Sequence, residues 1–513
     1  MPQEIRFLAD LFDRTVRRQP DAPALEIGRD VWTYAELHAI SREIAGQLRT
    51  ASAELPARVA LSARRSMPLF GAYIALQDLG CSVVPLDPGY PVDRAADVLD
   101  RCTVTTILVD DAGAEAIARI PEARDLNVVR LPDMVPDQTI TQETTPPMDK
   151  DVLDEVYVLF TSGSTGRPKG VPIRQYNVLP LVRYMIDRYE IGQDSRYAQT
   201  FGQTFDPFIA NMFAVWGGGG TLIDLTPDEV RDPVRSILEH RLTHWFSVSS
   251  AVSLAHAAGN IEPGKAPALQ HSIFGAEPFT LKQAELWNRL APNSKILNVY
   301  GPTETVLTCA DMVLGPDRSG WPVTENGTVP IGKVYDHLEH LIIDADGNPS
   351  DDGELCIRGP QRFDGYLEAT DNRHRFVRRT SEGTVEVAAG HELTRDDWYR
   401  TGDSVRWEGG ALIHCGRIDK QIKVLGHRVE PGEIEAQLRR HPEVVDVVVV
   451  KSKSDPDKLH AAYSGAELDS AELVAWLKPT LPVYMIPGTF AFYDEMPTSF
   501  VGKIDRNYIE ARS

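Results

Sequence analysis

Short apolar runs alternate with longer segments of helical character over the first 330 or so of 513 residues. Residues 59–62 read as a strand, 67–79 as a helix and 82–86 as a second strand, closed by the turn Asp87-Pro-Gly-Tyr-Pro91; this is a βαβ unit. Further runs at 245–248, 272–274 and 295–299 end in turns bearing Gly, Ser or Pro and alternate with plausible helices, as parallel sheets do. Ligands to such sheets bind at the carboxyl ends of the strands. Beyond about Pro330, segments 338–343 and 354–357 alternate around Asp346-Gly-Asn and Asp351-Asp-Gly, which predicts a small antiparallel barrel or sheet. From Lys420 onward, a helix (431–440), a strand (444–450), a second helix (471–478) and a final loop with a lysine predict a separate α+β unit. The expected fold is α/β: a large N-terminal domain (1–418) of parallel-sheet subdomains plus a small β-barrel, then a small mobile α+β domain (419–513). Gly217 to Gly220 must form a turn or a close backbone approach.

Charge and composition narrow the class. A formal net charge of -21 disfavours nonspecific binding to nucleic acid or anionic membranes, which takes a basic surface. Five scattered cysteines, with no C-x-x-C pair, predict reduced thiols rather than a disulfide frame or zinc site. The N-terminus lacks a signal-like apolar core and no stretch is long enough to span a bilayer, so a cytoplasmic protein is expected.

Phe160-Thr-Ser-Gly-Ser-Thr-Gly-Arg-Pro-Lys-Gly170 follows an apolar run and has the layout of a loop that grips nucleotide phosphates. Its glycines let backbone N–H groups turn toward an anion, the hydroxyls of Thr161, Ser162, Ser164 and Thr165 add donors, and Lys169 adds charge. Pro168 before the lysine and Gly170 after it break the Walker pattern, which disfavours an ordinary P-loop NTPase.

Further unusual segments follow: Asn298-Val-Tyr-Gly-Pro-Thr-Glu-Thr305, Tyr399-Arg-Thr-Gly-Asp403, Gly416-Arg-Ile-Asp-Lys-Gln-Ile-Lys-Val-Leu-Gly426 and Gly502-Lys-Ile-Asp-Arg506. Together with residues 80–94 and the phosphate loop, in this order, the chain resembles the ANL superfamily of adenylate-forming enzymes from Trp32 to Arg506. It is most similar to the amino-acid adenylation domains of nonribosomal peptide synthetases and to D-alanine–carrier protein ligases.

The resemblance implies ATP as substrate and a role for each matching residue. Thr161, Ser162, Gly163, Ser164, Thr165, Gly166 and Lys169 would hold phosphates with Thr303, while Glu304 would hold Mg²⁺, a hard cation suited to carboxylate oxygen. Tyr300, flanked by Asn298 and Gly301, would stack on adenine, beside the backbone of Gly275, Ala276, Glu277 and Pro278. Asp403 could accept both ribose hydroxyls, supported by Arg417. Lys503, with Thr161 and Glu304, would be catalytic: a carboxylate attacks the α-phosphorus, no general base is needed, and the obstacle is repulsion among anions. The C-terminal domain would then turn about Asp419 and present Gly426, which admits a phosphopantetheine arm.

By the same resemblance, Asp206 falls where amino-acid-activating members pair the substrate ammonium, and a buried carboxylate does need a cation. Phe205 precedes it, and Phe208 stands where the motif usually has serine. Pro207, Ala210, Phe246, Ile273, Gly275, Val299, Leu307 and Thr308 would complete the pocket. None is charged, so an uncharged, small or apolar amino acid is expected, with an α- or β-amine. The chain stops at Ser513 with no room for a carrier domain, so a freestanding enzyme that loads a separate, commonly acidic carrier protein is expected. Arg373, Arg375, Arg378 and Arg379 form one candidate docking cluster. The open alternatives are a D-alanine–carrier protein ligase, an acyl- or aryl-CoA ligase and a catalytically silent ATP-binding module.

Overall fold

The computed structural model describes residues 5–52, 54–133, 151, 154–161, 167–380, 383–388, 390–418, 421–497 and 504–513. Two largely parallel sheets dominate. One runs in the order Asn127–Arg130, Thr106–Val109, Arg58–Ser62, Ser82–Pro85, Glu155–Thr161, Lys169–Arg174, with only the last pair antiparallel. The other has nine strands, and its centre, His271–Gly275 between His244–Val248 and Lys295–Tyr300, is parallel. The strands expected at 59–62, 82–86, 245–248, 272–274 and 295–299 are all present, within a residue or so of their expected ends.

Helices Met67–Asp78 and Asp206–Gly218 are apolar on nearly every face and fill the space joining the sheets, where Phe70 stacks on Phe208 at 5.3 Å. A helix apolar all round is stable only when buried on all sides. Helix Asp206–Gly218 begins with Pro207, whose ring fixes the first turn, and ends where Gly219 turns left-handed (φ 94°). The expected close approach is also here: a Cβ on Gly218 would lie 2.6 Å from the Ile191 carbonyl oxygen.

The region after Pro330 forms a six-stranded antiparallel sheet, including Asp352–Arg358, Trp398–Glu408 and Ala411–Arg417. Beyond it stand a two-stranded hairpin, Ile422–Val424 with His427–Val429, and the three-stranded sheet Val444–Lys451, Leu459–Gly465 and Thr489–Phe492. Their apolar cluster draws on residues from Val424 to Met485 and is separate from the cores before it. Among the described residues, no helix is long and apolar enough to cross a membrane.

The four-arginine cluster does not form one surface. Arg375 turns inward toward Tyr399, Tyr366 and Glu304, while exposed Arg378 is held bidentately by Asp397 at 2.6 and 2.9 Å. An alternating strand sends neighbouring side chains to opposite faces.

Candidate active site

A cavity of about 630 Å³ opens where the strands end at Thr161, Val248, Gly275 and Tyr300. This is the carboxyl edge of both parallel sheets. Gly275, Ala276, Glu277, Pro278, Asn298, Tyr300, Gly301, Thr303, Asp403 and Arg417 all line it. Asn298 also works as a strut, donating both amide hydrogens to the carbonyls of Val329 and Pro330 at 2.9 Å.

Asp403 is the electrostatic centre of one wall. The Tyr300 hydroxyl donates to it at 2.6 Å, His414 Nε2 lies 3.0 Å away and Arg417 Nη1 3.2 Å away. Burial works against its charge, yet His414 and Arg417 prevail and hold the carboxyl well below the usual range. It is therefore a permanent anion, suited to accept hydrogen bonds from a diol.

On the phosphate side, Thr161 ends its strand with its Oγ1 buried and without a hydrogen-bond partner among the described residues. Such an orphaned hydroxyl fits an absent anionic or metal ligand. Glu304 is fully buried; the Tyr366 hydroxyl donates to its Oε1 at 2.5 Å. A carboxylate and a hydroxyl are the oxygen donors a hard divalent cation takes. Lys169 is not on the cavity wall: its ammonium sits 3.7 Å from Asp371 and 5.1 Å from the centre of the Tyr366 ring. Ser162, Gly163, Ser164, Thr165, Gly166, Asp419, Gly502 and Lys503 lie outside the described residues.

The expected pocket is largely assembled. Phe205, Asp206, Pro207, Phe246, Gly275, Val299, Leu307 and Thr308 line the cavity, whereas Ala210 and Ile273 are buried behind it. Phe208, at the usual serine position, points into the core. Asp206 has no ion-pair partner among the described residues; desolvation pushes its carboxyl up to about 6, although the Thr303 hydroxyl bonds to it. In an apolar pocket, that carboxyl is stabilised by an incoming cation.

The hairpin 422–429 closes this cavity. Gly426 N donates to Glu277 Oε1 at 2.9 Å, and His427 lies between Phe205 (4.6 Å, edge-on) and Tyr484 (3.7 Å, stacked). Arg428 Nη1 donates to both oxygens of Glu304 at 2.9 Å. A buried Arg94–Glu433 pair at 3.2 Å ties the helix behind the hairpin to the core. Sequence reasoning reaches Gly426 but assigns nothing to Lys423, His427 or Arg428, all on the cavity wall; their place in the Gly426 segment is the available signal.

The family model described as AMP-binding enzyme matches residues 12–367, and that described as AMP-binding enzyme C-terminal domain matches residues 433–503. A linear gramicidin synthase of Brevibacillus parabrevis is 32% identical over 98% of this chain, which spans 6% of that protein. The chain spans 21% of a relative from Bacillus subtilis, a dimodular nonribosomal peptide synthase to which it is 31% identical over 98% of its own length. It is 30% identical to novobiocin biosynthesis protein H of Streptomyces niveus, across 99% of this chain and 82% of that one. Among solved structures, the Vibrio cholerae adenylation domain AlmE, in complex with glycyl-adenosine-5'-phosphate, superposes with a TM-score of 0.84 at 22% identity, covering 100% of this chain and 98% of that one.

Proposed function

The chain belongs to the AMP-binding enzyme family, within the ANL superfamily, and is an AMP-forming ligase; from that premise we propose that it activates an uncharged, small or apolar amino acid with ATP. The aminoacyl-adenylate forms with release of pyrophosphate, and the acyl group then passes to the phosphopantetheine thiol of a separate carrier protein. Asp206 carries this reading. It is the one charged residue among the expected pocket positions, it makes no ion pair among the described residues although Lys423 acts on it from the same cavity, and a substrate ammonium supplies a close partner. Aryl and fatty acids have nothing to offer it. The synthetase relatives and the glycyl-adenylate held by AlmE support the same choice.

In the proposed chemistry, Tyr300 and residues 275–278 hold the base, Asp403 the ribose, and Asp206 orients the amine so that the substrate carboxylate meets the α-phosphorus. Thr161 and Thr303 steady the phosphates. Glu304 and Thr161 would hold Mg²⁺, which when bound supplies charge neutralisation to the phosphates. We place the division between the two working units at residues 418 and 419, with Asp419 as hinge.

The test is acid-dependent ATP–pyrophosphate exchange over L-, D- and β-amino acids, D-alanine included, with aryl and fatty acids as controls. One strong amino-acid signal is expected, lowered about 10²-fold by Asp206→Ala, since stranding a buried charge costs about 3 kcal/mol. Exchange only with acids that lack an amine overturns the proposal.

A pH dependence follows. With its carboxyl at about 6 in the empty pocket, Asp206 is protonated below that pH and loses its hold on an ammonium. The amino-acid KM is expected to rise as pH falls from 7 to 5. Stability has the opposite sign: the folded, empty protein binds more protons than the unfolded chain between about pH 4 and 6, so ionising Asp206 costs stability as pH rises. Asp206→Asn should raise the melting temperature of the empty protein at pH 8 and leave it nearly unchanged at pH 4, as read by scanning calorimetry.

A further inference from the structure

The wall around Asp403 owes its shape to one extra residue. Strand Ala411–Arg417 runs antiparallel to Trp398–Glu408, with Asp403 opposite Arg417 and Ser404 opposite Gly416, but Val405 then faces His414 rather than Cys415. A bulge of this kind re-aims a side chain, because two residues of one strand oppose one of the other. Side chains alternate along a regular strand, so an even ladder would set Cys415 on the face that Asp403 and Arg417 share; the shift sets His414 there instead. Its Nε2 lies 3.0 Å from Asp403 Oδ1, and its ring centre lies 6.0 Å from that of Tyr300. Burial opposes the charge on Asp403, and the hydrogen bond from His414 heads the influences that uphold it.

The hydrogen-bonding capacity of this carboxylate is unevenly spent. Oδ2 accepts from the Tyr300 hydroxyl at 2.6 Å and lies 3.2 Å from Arg417 Nη1, whereas Oδ1 has His414 alone. A carboxylate only accepts, so the hydrogen between them belongs to Nε2, and an imidazole that donates through Nε2 keeps a lone pair on Nδ1. Nδ1 has no partner among the described residues, the side chain is 27% exposed, and His414 lines the cavity. We infer that His414 is a second ribose-binding residue: its Nδ1 accepts one hydroxyl of the nucleotide's diol while Asp403 Oδ1 accepts the other. The inference deepens the functional reading above and rests on its placement of the ribose at Asp403. A vicinal diol has two hydrogens to place, and with Oδ2 already engaged the aspartate alone would leave one of them poorly met. His414 thus both holds Asp403 and reads the sugar, and a nucleotide that lacks the matching hydroxyl loses a partner only this nitrogen supplies.

The experiment reads dissociation constants by titration calorimetry on the full chain, with Mg²⁺ and no amino acid. ATP, 2′-deoxyATP and 3′-deoxyATP are titrated into the parent, His414→Phe and His414→Gln. In the parent each missing hydroxyl should weaken binding about tenfold, the worth of one hydrogen bond to a buried partner. His414→Phe, which keeps a flat ring but no nitrogen, should weaken ATP about tenfold; one of the two deoxynucleotide penalties should then shrink to about twofold or less while the other persists, because such a cycle isolates the pair that has lost its partner. His414→Gln, whose amide both donates and accepts, should restore most of the ATP affinity and of the lost penalty. The amino-acid KM in exchange should stay within about twofold of the parent in either variant. The inference is overturned if His414→Phe binds ATP like the parent, or weakens all three nucleotides by one common factor, which marks a merely structural residue. It is also overturned if both penalties vanish together, which leaves His414 only as a prop for Asp403, or if the parent ignores both missing hydroxyls. Exchange absent with every acid would sink the choice of an amino acid alone, because the nucleotide titrations still decide this one; a parent that binds no ATP sinks both.

Discussion

Gly426→Trp is expected to reduce transfer to the carrier thiol to background, a loss of roughly 10³-fold or more, while acid-dependent pyrophosphate exchange stays within about fivefold of the parent. Gly426 has φ +79°, where a side chain is strained, and even a Cβ would lie 2.5 Å from Val248 Cγ1. An indole cannot fit between Val248, Ala276 and the hairpin, and it would fill the passage a pantetheine arm needs. The half-reactions must be measured separately: exchange for the first, and radiolabelled acyl transfer to a phosphopantetheinylated carrier for the second. Equal loss of both would contradict a passage used in only one of them. Gly426→Ala is the milder form and should weaken transfer without abolishing it, since the Val248 contact already demands a shift.

Lys503→Ala should show the complementary defect, a 10²- to 10³-fold fall in exchange, the size of effect seen on removing one preorganised electrostatic contact. ATP carries its own negative charge and the attacking carboxylate is an anion as well, so the two repel as they approach. A lysine at the α-phosphate, the role the resemblance implies for Lys503, would answer that repulsion. Transfer from adenylate supplied directly should be nearly untouched, because the role the resemblance implies for Lys503 ends once the adenylate has formed. Near-normal exchange in the variant would remove Lys503 from the chemistry.

The sheets were legible because parallel strands with both faces buried leave unbroken apolar runs, and the site was legible because its loops stand at the ends of those runs. Asp206, Tyr300, Glu277 and Asp403 are all found on one cavity. What could not be read was pairing across distance. Arg428 meets Glu304 over 124 positions and Arg94 meets Glu433 over 339, and no periodicity or local spacing encodes such contacts. Lys169, Ala210 and Ile273 hold the right places in the chain, but packing turns the first toward Asp371 and buries the other two behind the wall. Phe208 shows the same effect: its ring finds Phe70 rather than the cavity, so the departure from serine belongs to the core.

Because His427 lies against Phe205, the residue just before Asp206, one side of the amino-acid pocket is built by the hairpin rather than by the sheets. On the proposed function, selectivity would therefore be divided between two pieces of chain, the sheet ends and the hairpin. Grafting a foreign set of wall residues onto the core would change which acid is adenylated while leaving the old His427–Tyr484 face to meet it afterwards. A transplanted pocket should carry its own hairpin with it, or the new adenylate will form and then wait.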